Sequence, residues 1–133
     1  MMESPEQDSA PEQDPAPEQD PAVDASRRIS DEIAAIHRES YGEVVEAVET
    51  HIFDDVVICV LDIALLLHER TLLEHGRGEG SIRQIRKEFQ ESIGPTFTAA
   101  VEHMTGRRVI AFLSETHLDP PFTIEFFRLA PRS

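Results

Sequence analysis

The chain has no tryptophan, one tyrosine (Tyr41), one cysteine (Cys59) and no basic residue before Arg27. Each shortage removes a class of function. With so few aromatic rings there is little on which to stack bases. The balance of 26 acidic to 12 basic residues, a net charge of −14, excludes nucleic acid as the main partner, because neutralising phosphates requires a basic surface. The nearest basic group, Arg77, Arg83, Arg86 and Lys87, alternates with apolar positions and reads as the solvated face of a helix. A lone cysteine inside Val-Val-Ile-Cys-Val-Leu forms no internal disulfide, reads as a small buried side chain and suits a reducing, cytoplasmic setting. The longest apolar stretch, Val56 to Leu67, has 12 residues and contains Asp62. A membrane span needs about 20 residues, so no transmembrane segment is expected. The N-terminus is acidic and Pro-rich where a signal peptide is basic and then apolar, so none is expected.

What is present begins with a repeat. Residues 5–22 read PEQDSA, PEQDPA, PEQDPA, and residues 1–26 contain eight acidic side chains. Like charge, low apolarity and recurrent Pro prevent such a segment from burying enough surface to fold. Two parts are therefore expected: a disordered acidic tail over residues 1–26, and one domain over residues 27–131.

Within that domain, Ile29, Ile33 and Ile36 make an apolar helix stripe that ends near Tyr41-Gly42. Val44, Val48 and Ile52 then share one face of a strand with Glu46 and Thr50. Asp54-Asp55 makes a tight turn into VVICVL, whose unbroken apolar character predicts a central strand covered on both faces. A short helix follows, with Leu65, Leu66, Leu72 and Leu73 apolar and Gly76 as its stop. The Gly-Arg-Gly-Glu-Gly link lacks the phosphate-loop pattern. Ile82, Ile85, Phe89, Ile93, Phe97, Val101 and Met104 keep helical phase from Ser81 to Gly106, with a kink or break expected at Gly94-Pro95. Two strands close the chain, Val109 to Leu113 and Phe122 to Leu129. In the second, Ile124 and Phe126 oppose Thr123, Glu125 and Phe127. The expected fold is α+β in two layers: a four-stranded, largely antiparallel sheet of two hairpins packed by helices, in the order α-β-β-α-α(kinked)-β-β.

Chemistry is sparse. The stretch from His68 begins like the zinc-protease motif H-E-x-x-H, but Leu72 stands where the second histidine belongs. No ligand spacing identifies a metal, no nucleophile has a catalytic context, and no cofactor is expected. The candidate ligand-binding set is His51, Asp54 and Asp55 with Glu115, His117 and Asp119. Glu115, His117 and Asp119 lie in SETHLDPP, an eight-residue connection longer than a hairpin needs. If both hairpins turn at one end of the sheet, these residues form an imidazole–carboxylate cluster able to bind a divalent ion or titrate near neutral pH.

Several blocks carry a resemblance: L-x-x-x-E-R-T-L-L at Leu65 to Leu73, I-R-x-x-F-Q-E at Ile85 to Glu91, T-G-R-R-V at Thr105 to Val109, and F-L-S-E-T-H-L-D-P at Phe112 to Pro120. On these, the stretch from Ile29 to Leu129 resembles the MpsC-like family, named after a sodium-translocating membrane-potential-generating system. Family members have a His-Asp-Asp turn, into which this chain inserts Ile52-Phe53, and the acidic repeats lie outside the family pattern. The resemblance implies a small cytosolic protein associated with membrane ion or bicarbonate uptake, and no catalytic residues. The function expected is a non-enzymatic accessory or regulatory module that binds a protein partner, with a homodimer compatible and an exposed apolar patch or sheet edge as its mark. The alternative is a small metal- or anion-binding or pH-sensing protein that uses the His51 and His117 loops.

Overall fold

The structure, a computed structural model, describes residues 21–42 and 45–132. Residues 1–20 of the expected tail lie outside the described residues. Helix α1 (Pro21–Tyr41) leads into strands β1 (Val45–Phe53) and β2 (Val56–Ile63). Helices α2 (Leu67–Glu74) and α3 (Glu79–Thr105) follow, and strands β3 (Val109–Leu118) and β4 (Pro121–Leu129) complete the domain. The fold is α+β, with one antiparallel sheet in the order β1-β2-β4-β3. Helix α1 packs on β1, α3 packs on β3, and the two helices touch each other, so one face of the sheet is covered.

Helix α1 starts at Pro21 and not near Ser26, so residues 21–26 of the expected tail are helical. Proline is at home in a first turn, where its missing N–H has no helical partner, and Asp24 there complements the helix dipole. Ile29, Ile33 and Ile36 are buried as the spacing predicts. Val44 lies outside the described residues. A register shift between Val45 and Ala47 puts Val48, Thr50 and Ile52 on the inner face, while Glu46 is exposed.

Strand β2 is central, as expected, but it is not covered on both faces. Val57, Cys59, Leu61 and Ile63 are buried under the helices, whereas Ile58 and Val60 are only half-buried on the opposite side. No element described here covers that side. In β4 the expected alternation holds, with Thr123, Glu125 and Phe127 fully buried and Ile124 exposed.

The helices depart from the periodicity in two ways. Leu65 and Leu66 precede α2, and Gly78 (φ 78°), not Ser81, caps a helix that runs unbroken through Pro95. Interior proline costs about 3 kcal/mol; complete burial of Phe97 and Val101, two and six residues on, offsets that loss. The buried face of α3 is also turned from the expected stripe. It runs Ile82, Arg86, Gln90, Gly94, Phe97, Val101, while Ile85 is 63% exposed. Arg86, expected on a solvated face, is buried.

At Gly94, α3 packs tightly against the sheet. A Cβ there would sit 3.1 Å from two ring carbons of Phe112. That ring is held between Phe97 and Phe127, with centroids 6.2 and 5.1 Å away, and has little freedom to yield. Gly94→Ala is expected to lower stability by about 1–3 kcal/mol despite the better helix propensity of alanine, as read by urea unfolding. Unchanged or raised stability would show that the ring gives way.

Candidate functional site

The register decides the fate of the expected cluster. Val56, just after the first hairpin turn, pairs with Arg128, and Asp62 pairs with Phe122 next to the second turn. The two turns therefore lie at opposite ends of the sheet, and β1 and β3 are its opposite edges. His51, Asp54 and Asp55 do not meet Glu115, His117 and Asp119. Among the described residues, no group of three or more His, Cys, Asp or Glu is placed to hold a metal ion.

Each candidate has a local role instead. Asp54 (φ 51°) and Asp55 form a two-residue turn. The Arg107 guanidinium donates to the Asp54 carbonyl (2.8 Å), to Asp55 Oδ1 (2.5 Å) and to the Ala130 carbonyl (2.7 Å), tying that turn to the T-G-R-R-V segment and the chain end. Exposed His51 lies 3.5 Å from Glu49. Glu115 accepts from Lys87 at 2.8 Å across the β3 edge. SETHLDPP is mostly strand: β3 continues to Leu118 and only Asp119-Pro120 turns, with a cis peptide between them. His117 Nδ1 is 2.9 Å from the Pro120 carbonyl, and its ring stacks on Phe122 at 5.1 Å.

The charged chemistry that hydrophobic spacing missed is inside. Arg86 makes a two-pronged bond to Glu69, Nε to Oε2 at 2.8 Å and Nη2 to Oε1 at 2.7 Å. Glu69 also accepts from the Leu66 N–H at 2.8 Å, so one carboxylate closes the start of α2 and locks it to α3. Burial pushes the Glu69 pKa up, but the hydrogen bonds from Arg86 and Leu66 and the charges of Arg86 and His68 outweigh it and hold it below the usual carboxylate value. One turn along α3, the Gln90 amide donates to His37 Nε2 at 3.1 Å, which requires a neutral imidazole. Burial, and then the Arg86 charge, lower the His37 pKa to about 4.

A second polar row crosses the underside of the sheet. Thr50, Cys59, Glu125 and Ser114 are register partners in turn. Ser30 donates to Thr50 Oγ1 at 2.7 Å, and Thr50 donates to Cys59 Sγ at 3.5 Å. Burial, with Glu125 adding to it, pushes the Cys59 thiol up to about 12 against the Thr50 hydrogen bond, so this thiol is inert near neutral pH. Both oxygens of Glu125, and Ser114 Oγ beside it, are buried without a hydrogen-bond partner among the described residues. Burial alone pushes the Glu125 pKa up to about 8. The signal for the Arg86 set was available in the sequence: Arg86 and Gln90 continue from Ile82 in steps of four toward Gly94 and Phe97, and both lie in I-R-x-x-F-Q-E, as Glu69 does in E-R-T-L-L.

Accessible concave surface lies elsewhere. A cleft of about 890 Å³ opens at the sheet end where β2 stops and β4 begins. Ile63, Ala64, Leu65, Leu73, Leu118 and Pro121 make its apolar lining. Around them stand Arg70, Glu46, Glu74, Asp119, His117 and the Arg83–Glu79 pair, which is 2.6 Å apart. Asp119 and His117 of the expected set thus do line a cleft, but without His51, Asp54 or Asp55.

No helix among the described residues is long and apolar enough to cross a membrane. No curated protein and no solved structure matches the chain. A family model does, described as Na+-translocating membrane potential-generating system (MpsC), over residues 24–131. With that match running from the first turn of α1 to beyond the end of β4, the chain belongs to the MpsC family.

Proposed function

We propose that this protein is a non-enzymatic accessory subunit that receives a segment of a protein partner, a component of a membrane ion or bicarbonate uptake system, in the cleft at the sheet end. The family description supports the membrane link. The observation that carries the reading is the lining of the cleft. An apolar floor suits an anchoring side chain, and an exposed rim of both signs suits the flanking charges of a peptide.

The test is affinity isolation with the full chain as bait from detergent-solubilised membranes of its own cells. The wild-type chain is expected to retain a specific integral membrane protein. Arg70→Glu, at an exposed position on the rim, and Leu73→Asp, on the floor, are expected to lose it with an unchanged circular dichroism spectrum. Equal recovery with the wild type and both variants would move the contact away from the cleft. Recovery of no membrane protein, with melting raised by small anions in the wild type but not in Arg70→Glu, would replace the reading with small-ligand binding.

A further inference from the structure

The face of the sheet turned away from the helices bears two central rows, His51-Ile58-Phe126-Leu113 and Glu49-Val60-Ile124-Glu115, each read across β1, β2, β4 and β3. Leu113 is 64% exposed and Ile124 38%, and no described element lies over them. Beyond these rows lie Phe53-Val56-Arg128-Ala111 at one end and Ala47-Asp62-Phe122-His117 at the other. We propose that this face is the interface of a homodimer, its occupant a second copy of the same chain. The inference does not rest on the cleft at the end of the sheet, with which this face shares His117.

The face is self-complementary, as an isologous contact requires. A two-fold axis that crosses the strands between the two central rows lays each row on the other row of its mate. Ile58 then meets the second copy's Val60, and Phe126 its Ile124. The same operation sets His51 over the second copy's Glu49 and brings Arg128 beside its Asp62. Glu115, which would otherwise meet the second copy's Leu113, is drawn round the edge by Lys87. The apolar centre thus pairs with itself, and Arg128 is brought within reach of a carboxylate.

Area agrees. Four strands about 4.8 Å apart and about 3.3 Å per residue present roughly 500 Å² in projection. Side-chain relief raises this toward the ~800 Å² per partner of a stable complex, and face-to-face sheets are an ordinary packing mode. A lipid surface is a poor occupant, because a chain of net charge −14 is repelled by anionic headgroups.

Sedimentation equilibrium of the full chain over a hundredfold concentration range tests the proposal. The wild type is expected at twice 15.0 kDa, and Leu113→Asp, at an exposed site that leaves the core intact, as a monomer with an unchanged circular dichroism spectrum. Asp62→Arg and Arg128→Asp, both at exposed positions, are each expected to weaken the dimer by roughly tenfold, and the double variant to recover most of that loss. A wild type that stays monomeric at the highest concentration overturns the proposal. So does a Leu113→Asp chain that stays dimeric, or an additive double variant.

Discussion

Replacing Arg86 with alanine lowers the unfolding free energy by about 3–5 kcal/mol, because it leaves the Glu69 carboxylate buried and unpaired. Arg86 is fully buried and Glu69 only 4% exposed, so water does not take over the lost bonds. A domain of this size holds on the order of 5–15 kcal/mol in total, so the loss is a large part of what there is. Glu69→Ala is also expected to lower stability, since it removes the carboxylate that takes two bonds from buried Arg86 and frees the Leu66 N–H that begins α2. The discriminating set is Arg86→Met, Glu69→Leu and the two together. With both charges gone neither is left buried opposite a missing partner, so the double variant is expected to lose clearly less than the two single losses summed. Urea unfolding measures all three, with unchanged m-values as the sign that the native state keeps its compactness. Additive losses in the double variant would mean that the side chains serve packing and not each other. The pH dependence of this bond has a definite sign. The folded pKa of Glu69 lies below its ordinary value. Its contribution is therefore complete above the unfolded pKa and is lost as pH falls through the folded one.

This pair also shows where sequence reasoning stopped. The alternation in β4 was legible because period two admits only one assignment: once Ile124 and Phe126 face one way, Thr123, Glu125 and Phe127 must face the other. Helix phase is weaker evidence. Ile82, Ile85 and Phe89 satisfy helical spacing as well as Ile82, Arg86 and Gln90 do, and counting apolar residues favours the first. The structure favours the second because Glu69, held at the start of α2, supplies a buried partner that no count along α3 can see. Strand β2 failed for another reason. An unbroken run of Val, Ile and Leu fits burial on both faces by one chain, and it fits equally burial of one face by the chain's own helices with the other left apolar and open. Its neighbour β4 carries the same outward pattern at Ile124 and Phe126.

The expected cluster failed on topology alone. Each hairpin was recognised, but not which strands join them. The sheet joins the second strand of one hairpin to the second strand of the other, antiparallel. Two strands that each run away from their own turn, set antiparallel, hold those turns at opposite ends. His51 and His117 were separated by that one pairing, which depends on long-range contacts and not on either hairpin's own residues.

Besides Glu69, which acts at the acid end, two buried groups shape the stability–pH curve. Folding moves His37 from 6.5 down to about 4, mainly by burial, with the Arg86 charge assisting. It moves Glu125 from 4.5 up to about 8 by burial, with Cys59 on one side and Ser114 on the other as register partners. Between pH 4.5 and 6.5 folding expels a proton from His37 and takes one up at Glu125, so the two slopes cancel and stability is flat. Above 6.5 His37 is neutral in both states. Glu125 alone then binds more protons folded than unfolded, and stability falls as pH rises, by ~1.4 kcal/mol per unit, until about pH 8. Below 4.5 the opposite arm appears, as unfolded His37 holds a proton that the folded chain refuses until about pH 4. Glu125→Gln keeps the shape of the side chain and removes its charge. It is expected to leave stability near pH 4 unchanged, to raise it by several kcal/mol at pH 8, and to convert the plateau into a rise that levels off above 6.5. Urea unfolding of both chains between about pH 4 and 9 reads this directly. Curves for the two chains that run parallel across that range would mean that Glu125 does not carry its proton into the folded state. The alkaline arm would then have another source.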